Sequence, residues 1–575
     1  MKVVIVGAVA AGPKTACRVK RLLPDAEVIL LDQDDLISYG GCGIPYFVSG
    51  DVSDEKELRS TSYHLVRDEG YFENAKGVRT ITSTRCLSID RKAKAIEVEN
   101  LKTGERYTIH YDKLVLATGS QPRKLPIPGS DLKGVFSVAS LHKAIEIKRS
   151  IEKGEVSQAV IIGGGAIGLE MAEGLADLWG IETTVLEFMP QILPRIVSPV
   201  FARMVMEHMK EHNVQVMPDE YAKECVADEN GRVSKVITNK RELPAQLVIV
   251  AAGVLPRGEL AKNAGLQTSA TGAIVVNQRM QTSDPDIYAA GDCVELLNLV
   301  TGKKGYAPMG SIANRQGRVV ADNIAGIPST FSGCINSFVM KIFDLSVGAT
   351  GISLEVANAE GFDAFEVFCV QSDRAHFFPT QKLMFLNMVV DRRTQRVLGL
   401  QALGQMGDGV MARINAAAGL IERRAVVSDF SNLELAYAPP FSTAVDILNA
   451  VANVADNVIA GRMSYISPLE FVAWMNGEQL HEDWMVLDLR HARESERYAE
   501  TYKDRWMALP YNEVRNGYAK LPRNKTFVLL CNAGTRAYEV QVFLKTQGFQ
   551  NTLVLTGGLN VINRLNPAWL LENKK

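Results

Sequence analysis

The chain has 575 residues, of which 47% are hydrophobic and 22% charged, with a formal net charge of -2. That length exceeds a single core and implies three or four domains of ordinary globular composition. The balanced charge gives no electrostatic case for nucleic acid or an anionic membrane surface, and no apolar run reaches the length of a membrane span.

The N-terminus, Met1 to Gly7, reads as a buried strand from its first residues, with no cleavage-type site before it. The eight cysteines, at 17, 42, 86, 225, 293, 334, 369 and 531, form no CxxC pair and no ligand cluster. Both features lead us to expect reduced thiols in a cytoplasmic protein. Strand-like runs alternate with helical patterns over most of the chain, which predicts α/β layers with parallel sheets.

The strand Val3–Val6 enters a turn with Gly7 and Gly12, and a helix leaves it. Asp32 closes the next strand, 20 residues after Gly12. This is the arrangement in which amides at a helix N-terminus hold a pyrophosphate and an acid binds ribose hydroxyls. The middle glycine of the pattern is replaced by Val9. Next comes the glycine-rich segment Ser38-Tyr39-Gly40-Gly41-Cys42-Gly43-Ile44-Pro45-Tyr46, whose one thiol has little apolar cover. The next cysteine is Cys86, so any redox chemistry here is that of a single cysteine. Another apolar strand, Leu114–Ala117, ends at Thr118 and Gly119.

A full GxGxxG follows the strand Ala159–Ile162, at Gly163, Gly165 and Gly168. The succeeding strand ends at Glu187, whose carboxylate accepts from a ribose 2′-hydroxyl and repels a 2′-phosphate. NADH is therefore favoured there, while Arg195, close by in sequence, keeps NADPH open. A further strand ends at Gly291 and Asp292. From Ser332 to Ile459 the texture changes, with a strand at Phe338–Phe343 and helices expected around Val410–Arg424 and Ala444–Ile459. The pattern breaks near Ala460–Ser464, and a small α/β unit begins with Ser467 as N-cap and Pro468 at the first helical position. There a strand delivers Cys531 into the loop Cys531-Asn532-Ala533-Gly534-Thr535-Arg536. Its amides and Arg536 would make an anion cradle able to hold a persulfide.

Together the two glycine turns, Thr118-Gly119 and Gly291-Asp292 resemble the pyridine nucleotide-disulfide oxidoreductase family over residues 1 to about 455. The resemblance implies FAD at the first site, against Thr118 and Gly119, with Asp292 on the ribityl chain, and NAD(P)H at the second. Within the family, the chain resembles the coenzyme A-disulfide reductases and NADH-dependent persulfide reductases. That likeness rests on Ser38…Cys42 to Tyr46, on Asn314 to Arg318 and on Leu435 to Phe441. Gly41 stands where these relatives carry Asn, Phe377-Phe378-Pro379 where they carry Tyr-Tyr-Pro, and Ala10 where NADH oxidases carry histidine. Tyr437 keeps a hydroxyl able to protonate a leaving thiolate. Arg18, Lys20 and Arg21 would meet coenzyme A phosphates or form a solvated basic face, and Ser38 is assigned to the substrate side. Residues 466 to 571 resemble a rhodanese, through Val486 to Arg490, Phe527 to Arg536 and Leu555 to Leu559. The remaining cysteines, Cys17, Cys86, Cys225, Cys293, Cys334 and Cys369, are read as structural.

The resemblance implies an α/β architecture of two Rossmann-like nucleotide-binding domains, an α+β dimerisation domain and a C-terminal rhodanese-like domain. The expected segments are 1–150 and 273–325 (FAD), 151–272 (NAD(P)H), 326–455 (dimerisation) and 464–575 (rhodanese). The implied activity is NADH-driven reduction of persulfide, polysulfide or coenzyme A-disulfide sulfur through Cys42, with Cys531 relaying sulfane sulfur, in a homodimer. Coenzyme A is a further expected ligand; nucleic acid and membrane are not. The alternatives are an NADH oxidase cycling Cys42 through sulfenate, which Ala10 opposes, and a flavin redox sensor or sulfur-relay protein.

Overall fold

A computed structural model describes residues 1–138 and 140–565. The last stretch of the expected 464–575 segment, 566–575, lies outside the described residues. The chain divides into two compact units, one made of Met1–Ile192 and His212–Cys334, the other of Leu193–Glu211 and the chain from Ile335 onward.

The first unit contains the same design twice. Its first parallel sheet has the order Ile287–Ala289, Lys113–Leu116, Lys2–Val6, Glu27–Leu31, Arg79–Ile81. Its second has the order Val214–Met217, Glu182–Leu186, Gln158–Ile162, Leu247–Val250, Val135–Ser137. In each, the central strand feeds a glycine turn and a three-stranded antiparallel meander is inserted later in the chain. Val3, Val4, Ile5, Val160 and Ile161 are buried without alternation, as strands covered on both faces require.

The second unit holds an antiparallel sheet ordered Phe338–Ile342, Leu345–Gly351, Val397–Gly404, Leu383–Asp391, Ala364–Ser372. The helices Gly407–Glu422 and Ile447–Ile459 pack on it. The latter starts three residues later than the pattern from Ala444 suggested. Asp446 is its N-cap and takes the Leu448 amide at 3.0 Å, so the residues before it are held outside the helix. The same unit carries a parallel sheet ordered Tyr465–Ile466, Thr552–Leu555, Thr526–Leu530, Trp484–Asp488, Trp506–Ala508. Ser467 and Glu470 form the capping box of the helix Pro468–Asn476, as the Ser-Pro signal predicts. The helix Pro199–Glu211, inside the stretch expected to bind NAD(P)H, belongs to this second unit. The Ser198 amide donates to Gln401 at 2.6 Å and Phe201 packs edge-on against Phe368. Among the described residues no helix is long and apolar enough to cross a membrane.

Candidate active site

Both glycine turns are closed by backbone contact. Gly7 and Gly163 have φ of +109° and +119°, a region open to glycine. A Cβ on Gly12 would lie 1.8 Å from the Gly7 carbonyl oxygen, and one on Gly168 2.0 Å from that of Gly163. A Cβ on Gly165 would meet nothing within 4 Å, so this position borders open space. The turn at Val9 closes without the middle glycine, because the close contact runs between Gly7 and Gly12.

The two acids sit alike. Asp32 accepts from the Ala8 amide at 2.6 Å and from the Asp34 amide at 2.9 Å. Glu187 accepts from Gly164 at 2.7 Å and from Met189 at 2.8 Å. Each carboxylate thus braces its glycine turn and keeps lone pairs for ribose hydroxyls. Burial pushes Asp32 up from its ordinary value, against the pull of the Asp34 and Ala8 amides. Arg195, the residue that kept NADPH open, belongs to the second unit and reaches Glu355 there at 3.9 Å.

Thr118, Gly119, Gly291 and Asp292 come together beside the first turn. The Thr118 hydroxyl donates to the Arg257 carbonyl at 2.6 Å, and the Gly291 amide to Gln316 Oε1 at 2.7 Å. A Cβ on Gly291 would be 3.3 Å from Ala11 Cβ, at the start of the first glycine-turn helix. Ser120 donates to Asp292 at 3.3 Å, and burial pushes this acid up. Gln316 is fully buried, and its Nε2 has no partner. A buried donor left open beside a glycine turn, a strand-end acid and an α-helix N-terminus fits a group rich in phosphate and hydroxyl oxygens, as FAD is. The second turn, with its open Gly165 and braced Glu187, fits a nicotinamide dinucleotide.

Of the eight cysteines, Cys42 alone is exposed. It occupies a 3₁₀ turn, Gly41–Gly43, that runs directly into the helix Ile44–Ser49. The Gly310 amide, at the start of the helix Gly310–Ile324, hydrogen-bonds its sulfur. Partial burial pushes the thiol up from its ordinary value, the Glu170 and Asp292 carboxylates add to this, and the amides of Gly310 and Cys42 oppose it less strongly. Glu170 lies on the second glycine-turn helix, Ala166–Asp177. No local motif marks Glu170 for a role in the sequence; its partner Tyr46 lies four residues after Cys42.

Arg18 Nε and Nη2 reach Asp322 Oδ1 at 2.7 and 2.6 Å, pairing it with a buried acid on the helix Gly310–Ile324. Neither coenzyme A nor solvent was needed to satisfy that charge. Lys20 donates to the Ala26 carbonyl, and Arg21 remains exposed. Ser38 is buried with φ +52°, its amide donating to the Ala8 carbonyl of the first glycine turn at 2.7 Å. Its backbone therefore helps to shape that turn. Tyr437, 51% exposed, and Phe377, 67% exposed, belong to the second unit.

Cys531 is buried at the end of the strand Thr526–Leu530. The Gly534 amide donates to its sulfur at 3.1 Å, with Gly534 at φ +98° as N-cap of the helix Thr535–Thr546. Leu559 and Asn560 amides bind the carbonyls of Cys531 and Asn532 at 2.9 and 3.0 Å. A Cβ on Gly558 would lie 2.4 Å from the Cys531 carbonyl, so glycine is required for that bracing. Arg536 sits one residue into the helix, half-buried, and its charge reaches Tyr511. Underneath, Arg490 folds back on buried Asp488, which also takes the Trp506 indole N–H at 3.3 Å. The neighbouring Leu489 amide pairs with the Leu530 carbonyl, fixing the strand end that presents Cys531.

Comparison with known proteins gives this geometry its setting. The pyridine nucleotide-disulphide oxidoreductase pattern matches residues 1–316, its dimerisation domain 338–448, and the rhodanese-like domain 467–564. A solved NAD-dependent persulfide reductase from A. fulgidus is similar at 36% identity with a TM-score of 0.91, covering 98% of this chain and 100% of that one. An NAD(P)H sulfur oxidoreductase (CoA-dependent) from Pyrococcus furiosus is 35% identical over 459 residues, 79% of this chain and 98% of its own. An NADH oxidase from Methanocaldococcus jannaschii is 34% identical over 455 residues, 79% of this chain and 98% of its own. The family implies FAD and NAD(P)H as cofactors. The chain belongs to the pyridine nucleotide-disulphide oxidoreductase family and carries a rhodanese-like domain after its dimerisation domain.

Proposed function

We propose that the chain is an NADH-preferring, FAD-dependent reductase of persulfide, polysulfide or coenzyme A-disulfide sulfur. The observation that carries this reading is Cys42, a lone exposed thiol facing one acid from each nucleotide frame, Asp292 and Glu170. Gly7, Gly12, Asp32, Thr118, Gly119, Gly291 and Asp292 would hold FAD, and Gly163, Gly165, Gly168 and Glu187 the dinucleotide. FAD, when bound, supplies the two-electron route from NADH to sulfur. Cys42 attacks the acceptor's S–S bond, keeps one sulfur and releases the other side as a thiol. Glu187 supports NADH over NADPH. Arg21, exposed on the first helix, would be available to a coenzyme A phosphate. Cys531 would load or unload sulfane sulfur, and residues 326–455 would form the interface of a homodimer.

Anaerobic NADH consumption with polysulfide and coenzyme A disulfide, and aerobic consumption with O2, tests the reading. Turnover with sulfur acceptors that Cys42→Ser abolishes is the expected result. Turnover with O2 alone would return the protein to the oxidase alternative. No turnover with any acceptor would favour the sensor.

A further inference from the structure

The helix that follows Cys42 packs closely on the second glycine-turn helix. Gly174 allows it: a Cβ there would be 2.7 Å from Ser49 Cβ and 3.5 Å from the Pro45 carbonyl. Tyr46 lies four residues after Cys42, and Glu170 four residues before Gly174, so this contact brings one turn of each helix together. The Tyr46 hydroxyl hydrogen-bonds the Glu170 carboxylate. Both border a solvent-open cleft whose wall also carries Asp51, Glu173 and Asp177. Resting on the reductase reading of Cys42, we propose that Glu170, acting through the Tyr46 hydroxyl, stores the proton delivered to sulfur leaving the Cys42 site and refills it from this cleft.

The chemistry needs such a store. Reduction of a persulfide balances as RSSH + NADH + H⁺ → RSH + H₂S + NAD⁺. The Cys42 thiolate forms a bond to the outer sulfur, the S–S bond of the persulfide breaks, and RS⁻ leaves with the electron pair and takes one proton. Two electrons from NADH then break the bond between Cys42 and the transferred sulfur, returning the thiolate and releasing hydrosulfide. NADH oxidation supplies the proton for that hydrosulfide. The proton on RS⁻ is the one the reductant does not bring.

Charges facing Glu170 suit it to the task. Burial pushes its carboxyl up to about 7, Glu173 on its own helix adds to this, and the Tyr46 hydrogen bond opposes it. The Tyr46 phenol is pushed up to about 12 by burial, with Glu170, Glu173, Asp51 and Cys42 adding to it, so it stays a donor. Cys42 feels Glu170 directly, so protonation of the acid and ionisation of the thiol are coupled.

The test is the pH dependence of Cys42 alkylation by iodoacetamide in FAD-loaded, reduced-thiol protein, read by mass spectrometry without NADH or acceptor. Wild type should show an inflection near pH 7, where Glu170 ionises. Glu170→Gln should lose it and shift the thiol midpoint acid by about one unit. Tyr46→Phe should move the inflection to higher pH, because it removes the bond that favours the ionised carboxylate. With polysulfide, Glu170→Gln should lower kcat at least about tenfold and flatten its fall above pH 7, with KM for NADH held within about twofold. An alkylation profile in Glu170→Gln matching wild type would overturn the proposal. So would a loss confined to KM for NADH, which would make Glu170 a nucleotide-positioning group. An inflection at pH 7 in a protein that reduces no sulfur acceptor would refute the reductase reading while upholding the Glu170–Cys42 coupling.

Discussion

Gly168→Ala measures how far the second glycine turn depends on backbone contact rather than on the motif as such. The new methyl would sit 2.0 Å from the Gly163 carbonyl oxygen and 3.2 Å from its carbon. Relief needs a displacement of roughly 1 Å or more, a severe case of overpacking that costs about 1–3 kcal/mol. The carbonyl has little room to retreat, because Gly163 itself packs on Ala251, where a Cβ would be 2.4 Å from the oxygen. The upper half of that range corresponds to a loss of NADH affinity of roughly 30- to 150-fold and a fall in melting temperature of roughly 4–12 °C. Gly165→Ala is the control. It has φ -80° and ψ 178°, which alanine adopts freely, and a Cβ there meets nothing within 4 Å. It should melt as wild type does and lose only dinucleotide affinity, through the methyl group in the ligand's path. Anaerobic NADH titration and thermal melting of the FAD-loaded protein separate the two. A Gly168→Ala protein with wild-type melting and NADH binding within threefold would refute the reasoning, as would a Gly165→Ala protein destabilised as much as Gly168→Ala.

Asp446→Ala strands Arg413, which is buried and bound to both Asp446 oxygens and to Ser442, and it removes the cap on Leu448. We expect a loss of about 3–5 kcal/mol in the second unit and faster proteolysis of the segment carrying Tyr437, read by melting and limited trypsin digestion. Burial pushes the Glu366 carboxyl from 4.5 up to about 7, so the native state holds a proton that the unfolded state releases. Stability in the second unit should therefore fall as pH rises from about 4.5 to 7, and Glu366→Gln should remove that slope in melts at pH 5 and pH 8. Arg18→Ala should weaken FAD retention and cost about 2 kcal/mol by uncovering Asp322, whereas Arg21→Ala should stay within about 0.5 kcal/mol and raise KM for coenzyme A disulfide alone. Cys531→Ala should abolish thiosulfate:cyanide sulfur transfer while NADH-driven polysulfide reduction persists, and loss of both would contradict separate roles for the two thiols.

Much of the fold is visible in the sequence because its signals are local. The runs Val3–Val6 and Ala159–Ile162 are apolar without alternation, and both are central strands covered on two faces. Ser467-Pro468 marks a helix start because the cap and its partner Glu470 lie three residues apart. Longer-range partners are not visible. Arg18 looks the same in sequence whether it faces water, a phosphate or Asp322, which is 304 residues away. The helix Pro199–Glu211 lies in a stretch patterned for nucleotide binding, yet contacts through Ser198 and Phe201 assign it to the second unit.

The same distinction explains why the cofactor class is easier to read than the sulfur acceptor. Each nucleotide turn recruits its acid within about 25 residues, Asp32 onto Ala8 and Glu187 onto Gly164, through backbone amides that any side chains would supply. Spacing alone therefore carries the assignment, even with Val9 in place of the middle glycine. The surroundings of Cys42 are assembled from Glu170, Asp292 and Gly310, which come from three separate parts of the chain. Their effect on the thiol depends on charge balance: two carboxylates and partial burial outweigh two amides. A glycine-rich loop around a cysteine suggests an activated thiolate, but in the packed structure burial and two carboxylates push the thiol up from its ordinary value. The local motif locates the exposed thiol, and carboxylates from distant parts of the chain act on its ionisation.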